Sequence, residues 1–467
     1  MSIDKEFFCR KNRQLAYFNR CEGHIANPSM GIAAMLLSDH MIAATTDEEA
    51  CIGHRIPPHY PTDDEIKALL DNPFTDHLYI RVGWSDVQRE EGKLEFSDLF
   101  KRALEVVHSS GKSWSMRIMQ NSPSGPRGNY IPEFLQGRLP LIELDRNGNH
   151  GGRNFIPAYT DEYLKYWGDM VSLLGAEFDS DPMLEYVDVS GFGFWGEGHH
   201  CGQKILRQDV GEGFGTNEEH EKAVASIIDS YKAAFPNTPL SVNLHLCDYE
   251  AGRRAVADGA WCRRDSYYEY FKSYEAQYGL MRRPDAALIY ETAVVRRDPP
   301  RRNAESANDF RSSLELPDLK CDYGCNYAFI GFNPFDANFT YDNYREVYER
   351  FAERVGYRIR PSIIWETVST DENRHYLTFG LVNDGCANPS GELLITAECG
   401  GKKSSVTVNG GEIGGRMRIV DMPLPDGFVG KCILRAYLVN AKRTAPIRWA
   451  TDCADGKAPY ELSFEIK

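Results

Sequence analysis

Nowhere in the chain do about 18 apolar residues run without interruption, the length a membrane-crossing helix needs. The opening stretch, MSIDKEFFCRKNRQLAYFNR, lacks the apolar segment of a secretory leader, so the expectation is a soluble cytoplasmic protein without an export signal. Basic charge is short as well. With 53 Lys and Arg against 68 Asp and Glu, the net charge is −15, which argues against nucleic acid or an anionic membrane as a partner. Twelve cysteines are present but no CxxC pair, and only Cys321 and Cys325 lie close together, a pattern of reduced thiols and not of a disulfide framework. G-x-S-x-G elbow, P-loop, internal repeat and low-complexity tract are all missing.

What is present is enough apolar sequence for one large domain and a smaller one: 467 residues, 42% hydrophobic. Residues 1–27 carry mixed charge without a clear period and read as an arm or cap. From there short apolar runs alternate with helical patterns. Met30–Leu37 reads as a first strand, His77–Trp84 as a second and Ser113–Met119 as a third. Between the second and third, Leu99, Phe100, Ala103, Leu104, Val106 and Val107 mark a helix that Ser97 caps and Gly111 ends.

The rhythm continues with a helix at about 161–175, a strand through Leu184–Val189, and a helix opened by the Thr216 and Glu219 capping box. Leu240–Leu246, Val256–Asp265, Asp285–Glu291 and a run between Lys320 and Phe332 complete eight strands, with helices expected from about Ser266 and over 341–355. Strand, helix, strand repeated this way predicts an α/β fold, a (β/α)8 TIM barrel, over residues 28–356. Beyond it the helical period disappears. Tyr376–Val382, Glu392–Ala397, Ser404–Val408, Cys432–Leu438 and Leu462–Ile466 predict an antiparallel β-sandwich over 357–467.

The fourth strand feeds an unusual turn, Ser190-Gly-Phe-Gly-Phe-Trp-Gly-Glu-Gly-His-His200. A glutamate held among glycines beside an indole is in surroundings that raise a carboxyl pKa and suit proton transfer to a leaving group. Gly191 to Gly196 also satisfy G-x-G-x-x-G, but that fingerprint needs a helix to open at once at the pyrophosphate, and here more glycines and a histidine pair follow. A nicotinamide or flavin oxidoreductase is therefore the remote alternative. His199-His200-Cys201 invites a zinc site, yet consecutive residues seldom point the same way and no second His/Cys cluster has ligand spacing. Neither cofactor nor metal is expected.

Active-site residues of such barrels lie at the carboxyl ends of strands. Glu197 follows the fourth strand and Glu291 closes the seventh, a spacing of roughly three βα units of about 30 residues. Two carboxyl groups facing one another across a barrel mouth are what glycosidic cleavage needs. Arg81, Arg117 and Arg264 end strands too, where they could orient carboxylates or bind substrate hydroxyls, or simply form salt bridges. Trp84 and Trp195 could form a sugar-stacking platform, or belong to the core.

Tyr79-Ile-Arg-Val-Gly-Trp84, Trp195-Gly-Glu-Gly-His199, Arg264-Asp265-Ser266 and Tyr290-Glu291 together resemble the clan A glycoside hydrolase barrels, above all the β-galactosidase-like members and a bacterial family with a trailing β-sandwich. The resemblance covers about residues 28–440. It implies that Glu197 is the acid/base and Glu291 the nucleophile of a retaining hydrolase, with His199, Asp265 and Tyr290 joining the arginines and tryptophans around the substrate. Most members carry Asn before the acid/base, where it binds the sugar 2-hydroxyl; this chain has Gly196. The expectation is an exo-acting glycosidase on a small β-linked glycoside or oligosaccharide, β-galactoside-like or a uronide. The rival is a non-catalytic carbohydrate-binding protein on the same barrel, and a homo-oligomer is left open.

Overall fold

The structure, a computed structural model, describes residues 10–39, 60–122, 129–144, 154–200, 216–265, 279, 281–292, 324–330, 338, 341–342, 345–370, 373–451 and 457–467. A strand, β1 (Arg10–Tyr17), precedes the first barrel strand. Eight parallel strands then close on themselves: β2 (Gly31–Leu37), β3 (Thr75–Gly83), β4 (Ser113–Met119), β7 (Leu184–Asp188), β8 (Leu240–Asn243), β9 (Trp261–Arg264), β10 (Leu288–Thr292) and β11 (Tyr327–Ile330). The last pairs with the first through Tyr327–Gly31, Ala328–Ile32 and Phe329–Ala33. A small hairpin, β5 (Leu141–Leu144) with β6 (Asn154–Pro157), is inserted after the third barrel strand.

Six described helices accompany the strands: α1 (Asp63–Asp71), α2 (Asp98–Ser110), α3 (Asp161–Phe178), α4 (Asn217–Ala234), α5 (Glu250–Ala257) and α6 (Arg345–Arg354). Ser97 and Gly111 act on α2 as expected: the serine side chain accepts from the Phe100 amide, and the glycine takes the left-handed conformation at φ 71°. Thr216 and Glu219 form the expected capping box on α4.

Alternation along each strand divides the core in two. Leu78, Ile80 and Val82, with Trp114, Met116 and Ile118, face outward into the layer shared with the helices. Tyr79, Tyr186, Trp261, Ile289, Tyr327 and Phe329 turn inward and fill the barrel. His77 lies among them, its ring nitrogens at 2.8 Å from Ser113 Oγ and 2.6 Å from Ser115 Oγ and its face stacked on Tyr186. Burial pushes its imidazole down to about 3, so it is a neutral packing element.

Two expectations change in detail. The fifth strand stops at Asn243 because the Asn243 side chain accepts from the His245 amide and starts a tight 3-10 turn over Leu244–Asp248. The sixth strand begins at Trp261, not Val256: Val256 lies in the last turn of α5, where Gly252, Ala255 and Val256 pack inward, and Gly259 reverses the chain at φ 110°. The helix expected from Ser266 lies outside the described residues.

The carboxyl-terminal part is a β-sandwich, with strands β12 (Ile359–Ser369), β13 (His375–Asn383), β14 (Glu392–Cys399), β15 (Lys402–Asn409), β16 (Arg418–Pro423), β17 (Gly430–Val439), β18 (Thr444–Ile447) and β19 (Glu461–Ile466). One sheet has the order β1-β12-β13-β16; the other is β15-β14-β17-β18, with β19 also on β17. The segment expected as an arm thus supplies an edge strand to this sheet. Ile364, Phe379, Ile395, Leu434 and Trp449 share one core between the sheets. The β17–β18 turn reaches the barrel floor: Arg443 donates to the buried Glu185 carboxylate, and Lys442 Nζ donates to the Asp181 carbonyl at 3.1 Å and Thr238 Oγ1 at 3.0 Å. No described helix is long and apolar enough to cross a membrane.

Candidate active site

Inward positions near the carboxyl ends of the barrel strands are charged. Arg81 on β3, Arg117 on β4, Asp188 on β7, Arg263 on β9 and Glu291 on β10 all turn into the barrel, joined by Asp39 after β2 and Asp265 after β9. Every one of these side chains is buried. A buried charge survives when opposite charges and hydrogen bonds replace its water, and here three guanidinium groups interleave with the carboxylates of five acids once Glu197 is included.

Glu197 is brought in by the glycine turn. Its amide donates to the Phe194 carbonyl at 2.8 Å, and Phe194 in turn donates to the His199 carbonyl at 2.8 Å, so the loop folds back on itself. Trp195 takes a left-handed backbone at φ 52°, unusual for a bulky residue. Gly196 is left-handed at φ 73°, and a Cβ there would lie 2.6 Å from Ser190 Cβ. This close approach to the end of β7, with the left-handed backbone, leaves no room for a side chain at Gly196. A single 3-10 turn, Phe194–Gly196, occupies the place where a dinucleotide site would open a helix.

So held, Glu197 accepts from Arg117 Nη1 at 2.6 Å and from Arg81 Nη1 at 3.5 Å on Oε1, while His199 Nε2 lies 3.2 Å from Oε2. Arg81 is anchored on Asp39 at 3.1 Å, and Ser122 Oγ donates to the same acid at 2.6 Å. Arg117 reaches Asp188 at 3.1 Å, and Tyr79 OH donates to that carboxylate at 2.7 Å.

Glu291 lies opposite. Carboxylate oxygens of Glu197, Asp265 and Glu291 all lie within 4.8 Å of one another. Arg263 donates to Glu291 Oε2, to Asp265 Oδ1 at 2.6 Å and to Asp188 Oδ2 at 3.2 Å. Burial, reinforced by the Asp265 charge, pushes the Glu291 carboxyl up to about 8 against the opposing pull of Arg263. Asp265 shifts the other way, held well below the usual carboxylate range by Arg263 and Arg117 despite its burial. Three acids so interleaved with arginines offer little to a metal ion, whose charge the guanidinium groups already supply.

Of the residues singled out from the sequence, Glu197, Glu291, Arg81, Arg117, His199 and Asp265 therefore meet in one cluster. Trp195 stands at its edge, its ring 5.9 Å from that of His199. Trp84 does not join them. It is fully buried in the layer between barrel and helices, edge-on to Trp167 at 5.1 Å, with Nε1 donating to Gln88 at 2.9 Å. Tyr290 also belongs to that outer layer, because alternation turns it away from the side that Glu291 faces. Arg264 contacts the Asp265 carbonyl and approaches His245 Nε2 at 3.4 Å. His200 turns from His199 to Tyr159 OH at 3.1 Å, so the histidine pair diverges.

Sequence reading missed Arg263, Asp188 and Asp39. For Arg263 the signal was available: Trp261, Arg263 and Asp265 alternate onto one face, and Arg264 lies off it.

No protein-family model and no curated protein matches the chain. Among solved structures the chain is similar to endo-glycoceramidase II from Rhodococcus sp., at 10% identity and a TM-score of 0.42 over 86% of this chain and 100% of that one. It is similar also to a beta-galactosidase from Rahnella sp. R3 (15% identity, TM-score 0.42, 73% of this chain and 59% of that one). A third is the catalytic domain of a beta-amylase from Paenibacillus polymyxa (9% identity, TM-score 0.39, 65% and 93%).

Proposed function

We propose that this protein is a retaining glycoside hydrolase, exo-acting on a small β-linked glycoside, with Glu197 as acid/base and Glu291 as nucleophile. One observation carries the reading: two buried glutamates from opposite sides of a barrel mouth bring carboxylate oxygens within 4.8 Å of each other. Retaining enzymes hold their carboxyl groups about 5–5.5 Å apart, whereas inverting enzymes leave about 6.5–9.5 Å for a water.

In this reading the pair reacts with its proton on Glu197, so the proton that burial keeps on resting Glu291 must first pass to Glu197; Glu197 then gives it to the leaving oxygen while the Glu291 carboxylate attacks the anomeric carbon, forming a glycosyl ester and releasing the aglycone alcohol. Water then enters. Glu197, now ionised, takes a proton from it, the new hydroxyl adds to the anomeric carbon, and Glu291 leaves as a carboxylate. Arg81, Arg117 and Arg263 are each engaged by carboxylates. A neutral glycone suits such a site better than a uronide, whose own carboxylate would meet an already crowded set of acids.

The experiment is hydrolysis of a panel of aryl β-glycosides, neutral and uronide, by wild type and by Glu197→Gln and Glu291→Gln. Each substitution is expected to lower turnover of the cleaved glycoside by about 10²–10⁴-fold or more. Unchanged turnover would remove both assignments. Wild-type protein that binds sugars and cleaves none would favour the non-catalytic carbohydrate-binding reading.

A further inference from the structure

Arg263 bridges three acids inside the barrel. Its side chain is fully buried, and its donors go to carboxylates from three places: Asp188 on the fourth barrel strand, Asp265 after the sixth and Glu291 on the seventh. Its guanidinium carbon stands 4.5 Å from the Tyr79 ring centroid and 4.7 Å from that of Phe329, so the plane of the fork is fixed by packing as well as by charge. We propose that Arg263 is a positioning residue for Glu291, aiming its carboxylate and, in opposition to Asp265, setting the pH at which it ionises. This rests on the reading of Glu291 as nucleophile.

A purely structural ion pair would need none of this arrangement, since Asp188 and Asp265 already neutralise the arginine. The third contact goes to the acid that must be ionised to attack. Glu291 faces charges from every side: Asp265 and Arg263 from the sixth strand and its end, Glu197 and Arg81 from across the mouth, with Arg117 behind Glu197. Asp265 and Glu197 disfavour its charged form; Arg263 and Arg81 favour it. Of the two favourable groups, Arg263 is the stronger and the one in direct contact. Fixing Oε2 on the arginine also restricts where the other oxygen points, which is how a nucleophile is pre-aimed.

The two opponents make the proposal testable in both directions. Arg263→Lys keeps a positive charge but replaces a rigid fork with a flexible ammonium that serves three acids poorly. Its expected effect is to raise the pH midpoint of Glu291 by about one pH unit, a tenfold change in the ionised fraction below it. Asp265→Asn removes the nearest like charge and is expected to lower the midpoint. Glu291 is followed by carbon-13 NMR of glutamate-labelled protein, its signal assigned by loss in Glu291→Gln. This reads the resting protein whether or not any glycoside is cleaved, so failure of the hydrolase reading would be seen separately. Where a cleaved glycoside is in hand, the limb of the kcat/KM profile that falls at the NMR midpoint moves with it. Midpoints equal to wild type in both variants, or moving opposite to these directions, overturn the proposal. Should Arg263→Lys fail to fold, an Asp265→Asn midpoint that does not fall overturns it alone.

Discussion

Arg443, in a turn of the β-sandwich, donates its guanidinium to the carboxylate of Glu185 in the fourth barrel strand. Glu185 is buried beneath the barrel, where Ser29 Oγ also donates to it. Removing one partner of such a pair leaves a buried charge without compensation, which costs far more than the pair itself contributes. Arg443→Ala is therefore expected to destabilise the protein by about 2 kcal/mol or more. Adding Glu185→Gln should restore much of that loss, because the remaining group is then neutral. Urea unfolding of the two single variants and the double variant measures it, and additive losses would contradict the coupling.

Glu291 has a signature in stability against pH. Its carboxyl is raised from 4.5 to about 8 in the folded protein. Between those values the folded state holds a proton that the unfolded chain has released, so this group's stabilising contribution is fully present below about 4.5 and is lost as pH rises through about 8. Asp265, shifted downward, acts oppositely and in a lower window: its contribution is lost as pH falls below the ordinary carboxylate range. The stability of wild type relative to Glu291→Gln is expected to fall steadily from pH 5 to pH 8. Denaturant melts at half-unit steps would show it; a flat difference would mean that Glu291 titrates normally.

Gly196 and Gly401 both hold positive φ, at 73° and 75°, but a Cβ at Gly196 would strike Ser190 whereas at Gly401 it would meet nothing within 4 Å. Gly401→Ala is expected to cost about 1 kcal/mol from the backbone alone. Gly196→Ala should cost about 2–3 kcal/mol and, by displacing the neighbouring Glu197, should also cut turnover. Equal melting temperatures for the two variants would show that the turn yields more easily than its packing implies.

The barrel was legible because its outward faces are continuous apolar runs: Ile32, Ala34 and Leu36 or Leu78, Ile80 and Val82 announce a buried strand in any reading. The inward face of the same strands is harder. In the upper half of the barrel it carries Arg81, Arg117, Asp188 and Arg263, residues that in an ordinary strand would face water. A charged residue alternating with apolar ones points inward here, so Arg263 and Asp188, which read as ordinary solvent-facing positions, enter the cluster while Arg264 lies off that face. Trp84 misled for the complementary reason, since a tryptophan at a strand end reads equally as platform or core. The strand β1 was hidden by its composition. RKNRQLAY is charged because it is an edge strand, and charge on an edge discourages further pairing. That Glu197 and Glu291 come together was legible because both stand at the carboxyl ends of strands in one barrel.

The most direct measurement is trapping of the intermediate. Incubation with a panel of 2,4-dinitrophenyl 2-deoxy-2-fluoro-β-glycosides, followed by intact mass and peptide mapping, should give one fluorosugar per chain, esterified to Glu291, with no label in Glu291→Gln. A label on Asp265 or another acid, or cleavage of the parent glycoside with inversion and no trapped ester, would contradict it.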